Sequence, residues 1–154
     1  MAIKRKYLSF LQHIDEIKGE DLKKLKAILD GLRKEFSKYN WIGIYVLRNE
    51  KLELLVYSGD KETEHKVIPI DKGLCGMAVR EKRIVNVYDV TNNPFYLQCF
   101  AETKSELVVP VYKNGEIIGE IDIDSYTIGA FNKEDEWFVS KIAEKIADLV
   151  YKNI

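Results

Sequence analysis

The spacing of apolar residues changes twice along the chain, and these changes predict the order of its helices and strands. Apolar residues recur at helical spacing in two N-terminal segments, residues 7–17 and 22–36. From Trp41 the period becomes two, which is typical of β-strands. After Asn132, a favoured helix N-cap residue, helical spacing returns and continues to Val150. The chain should therefore form two helices, then a sheet, then a final helix.

The first two predicted strands, residues 41–47 and 52–57, form a hairpin across a polar turn. Both faces of this hairpin carry apolar residues, so we expect helices to cover one face of the sheet and loops or a ligand pocket to cover the other. The leucine stripe in residues 22–36 also resembles a short coiled-coil seam, which could pair with a second subunit, but we favour packing on the chain's own sheet. The remaining predicted elements are short strands at 67–70 and 84–87, a short helix at 75–81, and a hairpin of 107–112 and 116–125.

A chain of 154 residues is long enough for one domain with one core, and no repeat or linker-like stretch divides it. We expect one α+β domain over residues 1–154, with N-terminal helices in 7–38, the sheet and pocket in 40–126 and a C-terminal helix in 132–152. The net charge of −1 indicates no nucleic-acid or membrane partner. Because the N-terminus lacks the apolar region of a signal peptide, we expect a cytoplasmic protein with a small ligand.

Two cysteines and three acidic residues are the candidates for chemistry. Cys75 follows a glycine turn, and Cys99 lies in a long loop, residues 89–104, of a kind that often has a function. Glu106, Asp122 and Asp124 follow on the second hairpin. A thiolate near partly desolvated carboxyl groups can attack an electrophilic sulfur while an acid protonates the leaving atom. The set therefore predicts redox chemistry on a small molecule.

The register of the second hairpin decides whether these acids meet. A two-residue turn at Asn114 and Gly115 would place Glu106 on the opposite sheet face from Asp122 and Asp124. A three-residue loop, residues 113–115, would instead pair Glu106 directly with Asp122. We predict the three-residue loop, because a shared acidic site requires it.

Simpler interpretations exist for most of these residues. Asp122 and Asp124 alternate with isoleucines, which also describes a half-exposed strand with a solvated polar face. Cys75 could be a small buried apolar residue, and Trp41 and Tyr45 could be ordinary core aromatics. Neither of the two histidines has ligand-like spacing with a cysteine, so we predict no metal.

Four segments of the chain carry a family likeness: Asn40-Trp41-Ile42-Gly43-Ile44-Tyr45, Gly73-Leu74-Cys75-Gly76, Cys99 with Ser105-Glu106-Leu107-Val108-Val109-Pro110, and Ile118-Gly119-Glu120-Ile121-Asp122-Ile123-Asp124-Ser125. Together they resemble a GAF domain of the free methionine-(R)-sulfoxide reductase family. The resemblance implies a six-stranded antiparallel sheet flanked by helices, often in a homodimer, with a pocket for free methionine sulfoxide.

The resemblance also assigns roles by motif match. It places Cys99 at the nucleophile position and Cys75 at the position of an additional cysteine. The substrate-contact positions fall on Trp41, Tyr45, Glu106, Asp122 and Asp124. Either Glu106 or Asp124 would donate the proton to the departing oxygen. The residues alone leave Cys75 as an alternative nucleophile, because the dipole of the helix that it begins would lower its pKa.

Members of this family usually carry a third cysteine just before the strand that matches residues 67–70, and this chain has none there. A sulfenic acid on Cys99 would therefore need Cys75 or an external thiol, such as thioredoxin or dithiothreitol, for its reduction. We expect no cofactor beyond that reductant. The alternative function is a GAF module that senses a small molecule or oxidation without turnover.

Overall fold

The chain forms one antiparallel sheet with four helices in the residues that its computed structural model describes, 2–98 and 100–154. The elements are α1 (Arg5–Glu16), α2 (Asp21–Glu35), β1 (Trp41–Arg48), β2 (Lys51–Ser58), β3 (Val67–Pro69), α3 (Gly73–Glu81), β4 (Val85–Val87), β5 (Ser105–Lys113), β6 (Glu116–Ser125) and α4 (Lys133–Lys152). The strand order is β3-β2-β1-β6-β5-β4. This architecture confirms the predicted α+β fold and its antiparallel sheet.

Helices α1, α2 and α4 cover one face of the sheet and form the larger hydrophobic core with it. Ile42 and Ile44 of β1 point into this core, and Leu25, Leu29 and Leu32 of α2 are fully buried in it. The leucine stripe therefore packs on the chain's own sheet, as favoured from its sequence. None of the helices in the described residues combines the length and the apolar character that a membrane span needs.

Helix α4 begins at the predicted N-cap residue. The Asn132 side chain accepts a hydrogen bond from the backbone N–H of Asp135, and the Asp135 carboxylate accepts one from the backbone N–H of Asn132. Asp135 is fully buried and also accepts hydrogen bonds from the hydroxyls of Tyr7 (3.1 Å) and Tyr39 (2.5 Å). Lys38 Nζ lies 2.6 Å from the same carboxylate. One side chain thus ties α1, the connection from α2 to β1, and α4 together.

The hairpin of β5 and β6 closes with a two-residue turn. Lys113 pairs with Glu116, and the residues between them, Asn114 and Gly115, have φ values of 53° and 80°. Two successive positive φ values are typical of a type I′ turn, for which Asn-Gly is a preferred sequence. The predicted three-residue loop is therefore wrong.

A β-bulge close to this turn restores the common face of the acids. The register of the hairpin shifts there, and Ile118 is the extra residue in β6. Because side chains alternate between faces, one extra residue reverses the faces of all the residues beyond it. Glu106 therefore shares a face with Asp122 and Asp124, as predicted, but it pairs directly with Asp124 and not with Asp122.

Candidate active site

The sheet face opposite α1, α2 and α4, which we call the site face, carries four buried acidic side chains. Cross-strand neighbours on β1, β6 and β5 are Trp41 with Asp124 and Glu106, Gly43 with Asp122 and Val108, and Tyr45 with Glu120 and Pro110. The exposed fraction is 0% for Glu120, 1% for Asp122 and Asp124, and 5% for Glu106. The simpler interpretation of Asp122 and Asp124 as a solvated polar face is therefore wrong.

Helix α3 packs over the site face and brings Cys75 to the acids. Gly76, the next residue of α3, packs against the segment before the helix, where a Cβ atom would lie 2.4 Å from the backbone oxygen of Ile70. The sulfur of Cys75 and one carboxylate oxygen each of Glu106 and Asp122 all lie within 4.8 Å of one another. Donor atoms at this spacing can share a positively charged group. The expectation that no metal is bound stays a prediction.

A cavity of about 10 Å³ lies between these groups. Its lining residues are Ile68, Gly73, Leu74, Cys75, Leu97, Glu106 and Asp122. Trp41, Tyr45 and Asp124 share the site face but do not line this cavity. Two larger clefts, of about 430 and 440 Å³, lie beside α1 and α4 and contain none of the predicted site residues. The thiol and carboxyl groups that line the small cavity therefore make it the candidate active site. It has room for roughly one water molecule.

The Cys75 thiol is a weak acid in this setting. Burial raises its pKa well above the ordinary value, and the nearby carboxyl groups of Asp122, Glu120 and Glu106 raise it further. The expectation that the α3 dipole lowers this pKa is therefore wrong, because desolvation and negative charge outweigh the dipole. A raised pKa weighs against Cys75 as the nucleophile, and the choice between the two cysteines stays a prediction.

The acids of β6 also have raised pKa values. Burial is the main cause for Asp122, Asp124 and Glu120. The charge of Asp122 raises the pKa of Asp124 further, while a hydrogen bond from the Thr103 hydroxyl to Asp124 Oδ2 (3.2 Å) offsets part of the shift. Both carboxyl oxygens of Glu120, Asp122 Oδ1 and Asp124 Oδ1 accept no hydrogen bond of normal geometry from the described residues. Such a group favours its neutral form, so we expect protonated carboxyl groups in this cluster near neutral pH.

Trp41 and Tyr45 form an aromatic wall beside the acids. The Trp41 ring stacks on Tyr57 with 5.8 Å between ring centroids and lies 5.7 Å from the ring of Phe100. The Tyr45 hydroxyl donates a hydrogen bond to the backbone oxygen of His65 (2.8 Å). Both side chains belong to the smaller core cluster on the site face, together with residues of α3. They are core aromatics of the site face, and their contact with substrate stays a prediction.

Cys99 lies outside the described residues, but its chain neighbours are placed. Leu97 lines the cavity that Cys75 also lines. The backbone oxygen of Gln98 lies 3.0 Å from Nε2 of His65, a half-buried side chain. The loop therefore reaches the candidate site two residues before Cys99.

An ion pair joins this loop to the one that follows β2. Lys61 Nζ lies 2.5 Å from Glu102 Oε1. The indole N–H of Trp41 donates to the backbone oxygen of Lys61 (3.2 Å), so the loop after β2 is also tied to the aromatic wall. Both loops thus contact each other and the site face.

Glu120 is a buried acid on the site face that the sequence-based prediction missed. It belongs to the quoted segment from Ile118 to Ser125, but no role was assigned to it. Its two-residue spacing from Asp122, which is itself two residues from Asp124, places all three on one face of a strand. This two-residue spacing was the sequence feature from which the position of Glu120 on the site face could have been predicted.

Comparisons with known proteins agree with this fold. Residues 24–150 match the GAF domain family, and the chain is thus a GAF domain protein. The free methionine-R-sulfoxide reductase of Escherichia coli (strain K12) is 32% identical over 125 residues, which cover 79% of this chain and 74% of that protein. The chain belongs to the free methionine-R-sulfoxide reductase family within the GAF domains.

Two solved structures extend the likeness. The type II free methionine-R-sulfoxide reductase from Thermoplasma acidophilum is 47% identical, with a TM-score of 0.83 and coverage of 86% of this chain and 93% of that chain. The free methionine-R-sulfoxide reductase from Neisseria meningitidis, in complex with its substrate, is 26% identical, with a TM-score of 0.84 and coverage of 100% and 96%.

Proposed function

We propose that this chain is an oxidoreductase that reduces free L-methionine-(R)-sulfoxide to methionine, with the thiolate of Cys99 as the nucleophile. The observation that carries the proposal is the buried acidic cluster of Glu106, Asp122 and Asp124, next to a cavity that Leu97 also lines. Family membership supports the reaction, because relatives that share the fold are free methionine-R-sulfoxide reductases.

The reduction moves one oxygen atom from the substrate to the protein. The Cys99 thiolate attacks the sulfoxide sulfur, and a carboxylic acid protonates the sulfoxide oxygen. The sulfur–oxygen bond of the substrate then breaks, the hydroxyl group ends on the Cys99 sulfur, and methionine leaves. The substrate sulfur gains two electrons, and Cys99 becomes a sulfenic acid.

The proton donor is Glu106 or Asp124. Asp124 has the stronger support, because burial and the neighbouring charge of Asp122 raise its pKa well above the ordinary value. Glu106 has support of a different kind, because one of its carboxylate oxygens lies within 4.8 Å of an Asp122 oxygen and of the Cys75 sulfur.

The remaining carboxylate charge would bind the ammonium group of a free amino acid. A methionine within a protein chain has no such ammonium group and could not balance the buried acids, so the site should select free methionine sulfoxide. Trp41 and Tyr45 would supply the apolar surface for the S-methyl group. Because the cavity of about 10 Å³ is far smaller than the substrate, the two contacting loops must separate to admit it.

Regeneration of Cys99 requires a thiol. Cys75 would condense with the sulfenic acid to form a disulfide and water, and an external thiol such as thioredoxin or dithiothreitol would reduce that disulfide. Direct attack of the external thiol on the sulfenic acid is the second route. A homodimer, as the family resemblance implies, remains part of the proposal.

Resolved diastereomers of free methionine sulfoxide test the proposal directly. The protein is incubated with each diastereomer and dithiothreitol, and methionine is quantified by chromatography. We expect methionine from the R form and little from the S form. Tight binding of the R form without any methionine would contradict the proposal and support the alternative GAF sensor module.

A further inference from the structure

Three donor atoms from three different elements meet beside the cavity of the candidate site. We propose that Cys75, Glu106 and Asp122 bind a zinc ion, which takes the place of the substrate ammonium group and inhibits the chain reversibly. Binding of the ion does not depend on the proposed function, but the inhibition rests on it. The absence of a metal was predicted from the spacing of the histidines, and none of these three ligands is a histidine.

The distances between the donors suit a single ion. The Cys75 sulfur and one carboxylate oxygen each of Glu106 and Asp122 lie within 4.8 Å of one another. Ligand atoms around a tetrahedral zinc ion lie about 3.3 to 3.6 Å apart, because its bonds to oxygen and sulfur are about 2.0 to 2.3 Å long. A rotation of the carboxyl groups about their side-chain bonds covers the difference.

The three ligands are held by regular elements of the fold. Cys75 lies on α3, Glu106 on β5 and Asp122 on β6, and all three are buried. Glu106 pairs with Asp124, while Asp122 pairs with Val108. Glu106 and Asp122 are therefore diagonal neighbours on the site face, a relationship that long side chains can bridge. A ligand set on one helix and two paired strands is held more precisely than one on loops.

A buried oxygen without a hydrogen bond is an independent indication of a ligand. Oδ1 of Asp122 accepts no hydrogen bond of normal geometry from the described residues, although Asp122 is only 1% exposed. Asp122 also lines the cavity of about 10 Å³, together with Cys75 and Glu106. Buried polar atoms are nearly always satisfied by protein groups, water or an ion. The unsatisfied oxygen and the cavity together indicate a partner that the protein itself does not supply.

The ligand types and the available space favour zinc among the common divalent cations. Ca²⁺ takes roughly six to eight oxygen ligands, and Mg²⁺ keeps several water molecules in an octahedral shell. The cavity has room for roughly one water molecule, and one of the donors is sulfur. Zn²⁺ binds thiolate and carboxylate ligands in four-coordinate geometry, which three side chains and one water molecule would complete.

The charge of the ion explains why it would compete with the substrate. Burial favours the neutral forms of a thiol and of carboxylic acids, but a bound cation is the largest local charge and deprotonates a coordinating thiol. In the proposed function, carboxylate charge in this cluster binds the substrate ammonium group. A zinc ion on Glu106 and Asp122 uses that charge and fills the same space, so ion and substrate exclude each other.

Cobalt is a spectroscopic probe of this site, because Co²⁺ accepts the ligands of zinc and gives an intense charge-transfer band with a thiolate. The probe protein is the full chain with Cys99→Ser, in which Cys75 is the single cysteine. It is reduced with a phosphine, since thiols bind metals, then treated with a chelator and desalted. We expect the band to saturate at one Co²⁺ per chain and to disappear on addition of Zn²⁺, which binds such ligands more tightly.

Substitutions of the ligands locate the site. Adding Cys75→Ser to the probe protein should abolish the band. Adding Glu106→Gln or Asp122→Asn should weaken Co²⁺ binding at least about tenfold, a loss that even the hydrogen-bond partner of a ligand can cause. Glu116→Gln, which changes an exposed acid of β6, is the matched control and should leave the affinity unchanged. If the carboxyl variants do not fold, saturating Zn²⁺ should still raise the Tm of the probe protein and not that of the variant without Cys75.

Displacement of the metal by substrate tests the inhibition. The probe protein lacks the proposed nucleophile, so methionine-(R)-sulfoxide should bind without turnover and lower the apparent affinity for Co²⁺. Methionine-(S)-sulfoxide is the matched control, because it chelates free Co²⁺ equally well and should not occupy the site. We therefore expect the R form to weaken the band at concentrations at which the S form does not.

The outcomes separate the two proposals. A folded probe protein without the band overturns the zinc site, as does an affinity that Glu106→Gln and Asp122→Asn leave unchanged. Equal effects of the R and S forms overturn the inhibition. The proposed function is decided separately, by the methionine that metal-free wild type forms from the R form.

Discussion

Glu106 lies directly opposite Asp124 across the paired strands β5 and β6. Both side chains are almost completely buried and face the same side of the sheet. Ionising both would place two negative charges in a dry environment, which costs free energy. Burial and the charge of Asp122 raise the pKa of Asp124, so Asp124 favours its neutral form.

We predict that Glu106→Gln and Asp124→Asn each lower kcat/KM for methionine-(R)-sulfoxide by about 10²- to 10⁴-fold, because each removes a candidate proton donor. The double variant should lose little more than the worse single variant, since the residues act together. Steady-state kinetics with dithiothreitol measures all three variants. Losses that simply multiply would show that the two carboxyl groups act independently.

The two cysteines should differ sharply in their effects. Cys99→Ser should abolish methionine formation, because it removes the proposed nucleophile, whereas Cys75→Ser should retain the first turnover and lower the steady-state rate less. Rapid-quench measurements of methionine per chain check both variants. The reverse ranking would make Cys75 the nucleophile in spite of its raised pKa.

Asp135→Asn should lower the free energy of unfolding by roughly 3 kcal/mol, because it removes a buried charge that pairs with Lys38 and accepts two tyrosine hydroxyls. Urea unfolding followed by circular dichroism measures the change. Asp148→Asn is the control, since this exposed acid contacts only Lys113 among the described ion pairs, and it should change stability little. Equal effects from both substitutions would contradict the central role of Asp135.

Neutralising a buried acid of β6 should stabilise the fold at neutral pH. The pKa of Asp124 is raised in the folded chain, so the folded state binds more protons than the unfolded state above the ordinary pKa near ~3.9. Stability from this group is therefore present at low pH and falls as pH rises through the window between the ordinary and the raised pKa. The Asp124→Asn variant cannot ionise at this position and does not lose stability in this window. The Tm of the variant should therefore exceed that of wild type by little at roughly pH 4 and by more toward roughly pH 8.

Thermal unfolding across that pH range measures the difference between the two proteins. A constant difference would mean that Asp124 does not titrate differently in the folded and unfolded chain. A stability advantage that shrinks as pH rises would contradict the sign of the pKa shift. The Asp124→Asn variant should reduce methionine-(R)-sulfoxide more slowly than wild type although it is more stable, because it lacks the proposed proton donor.

The order and type of the elements could be predicted from the sequence because apolar spacing reports local structure directly. The stripe in α2 and the alternation that starts at Trp41 correspond to the observed helix and strand. Asn132 likewise predicted the start of α4, since an N-cap acts through contacts only three residues away. Local signals were sufficient wherever local contacts decide the structure.

The pairing of Glu106 could not be predicted correctly, because the bulge at Ile118 is set by two partners of β6 at once. Asn114 and Gly115 favour a tight turn, while pairing with β1 fixes the inner half of the strand. The length of the turn alone therefore does not predict how β5 and β6 pair beyond it. The prediction that Glu106 shares a sheet face with Asp122 and Asp124 was nevertheless correct. One extra residue reverses the faces of the residues beyond it, whether it lies in the loop or in the strand.

The acidity of Cys75 was also beyond local reasoning. Its place near the start of α3 suggested a lowered pKa, but three acids from β5 and β6 and almost complete burial act in the opposite direction. These contacts depend on the packing of α3 against the sheet. Glu120 was missed for a related reason: its two-residue spacing from Asp122 indicated the shared face, but its burial depends on tertiary packing.

The extra residue at Ile118 has a practical consequence for engineering the chain. The β-bulge lies between the hairpin tip and the carboxyl groups of Glu120, Asp122 and Asp124. Pairing of β6 with β1 holds these three residues in place, so changes at the tip should not move them. A fluorescent reporter or an affinity tag inserted between Asn114 and Gly115 should therefore leave catalysis intact, which makes this tip the preferred attachment point for following turnover in single molecules.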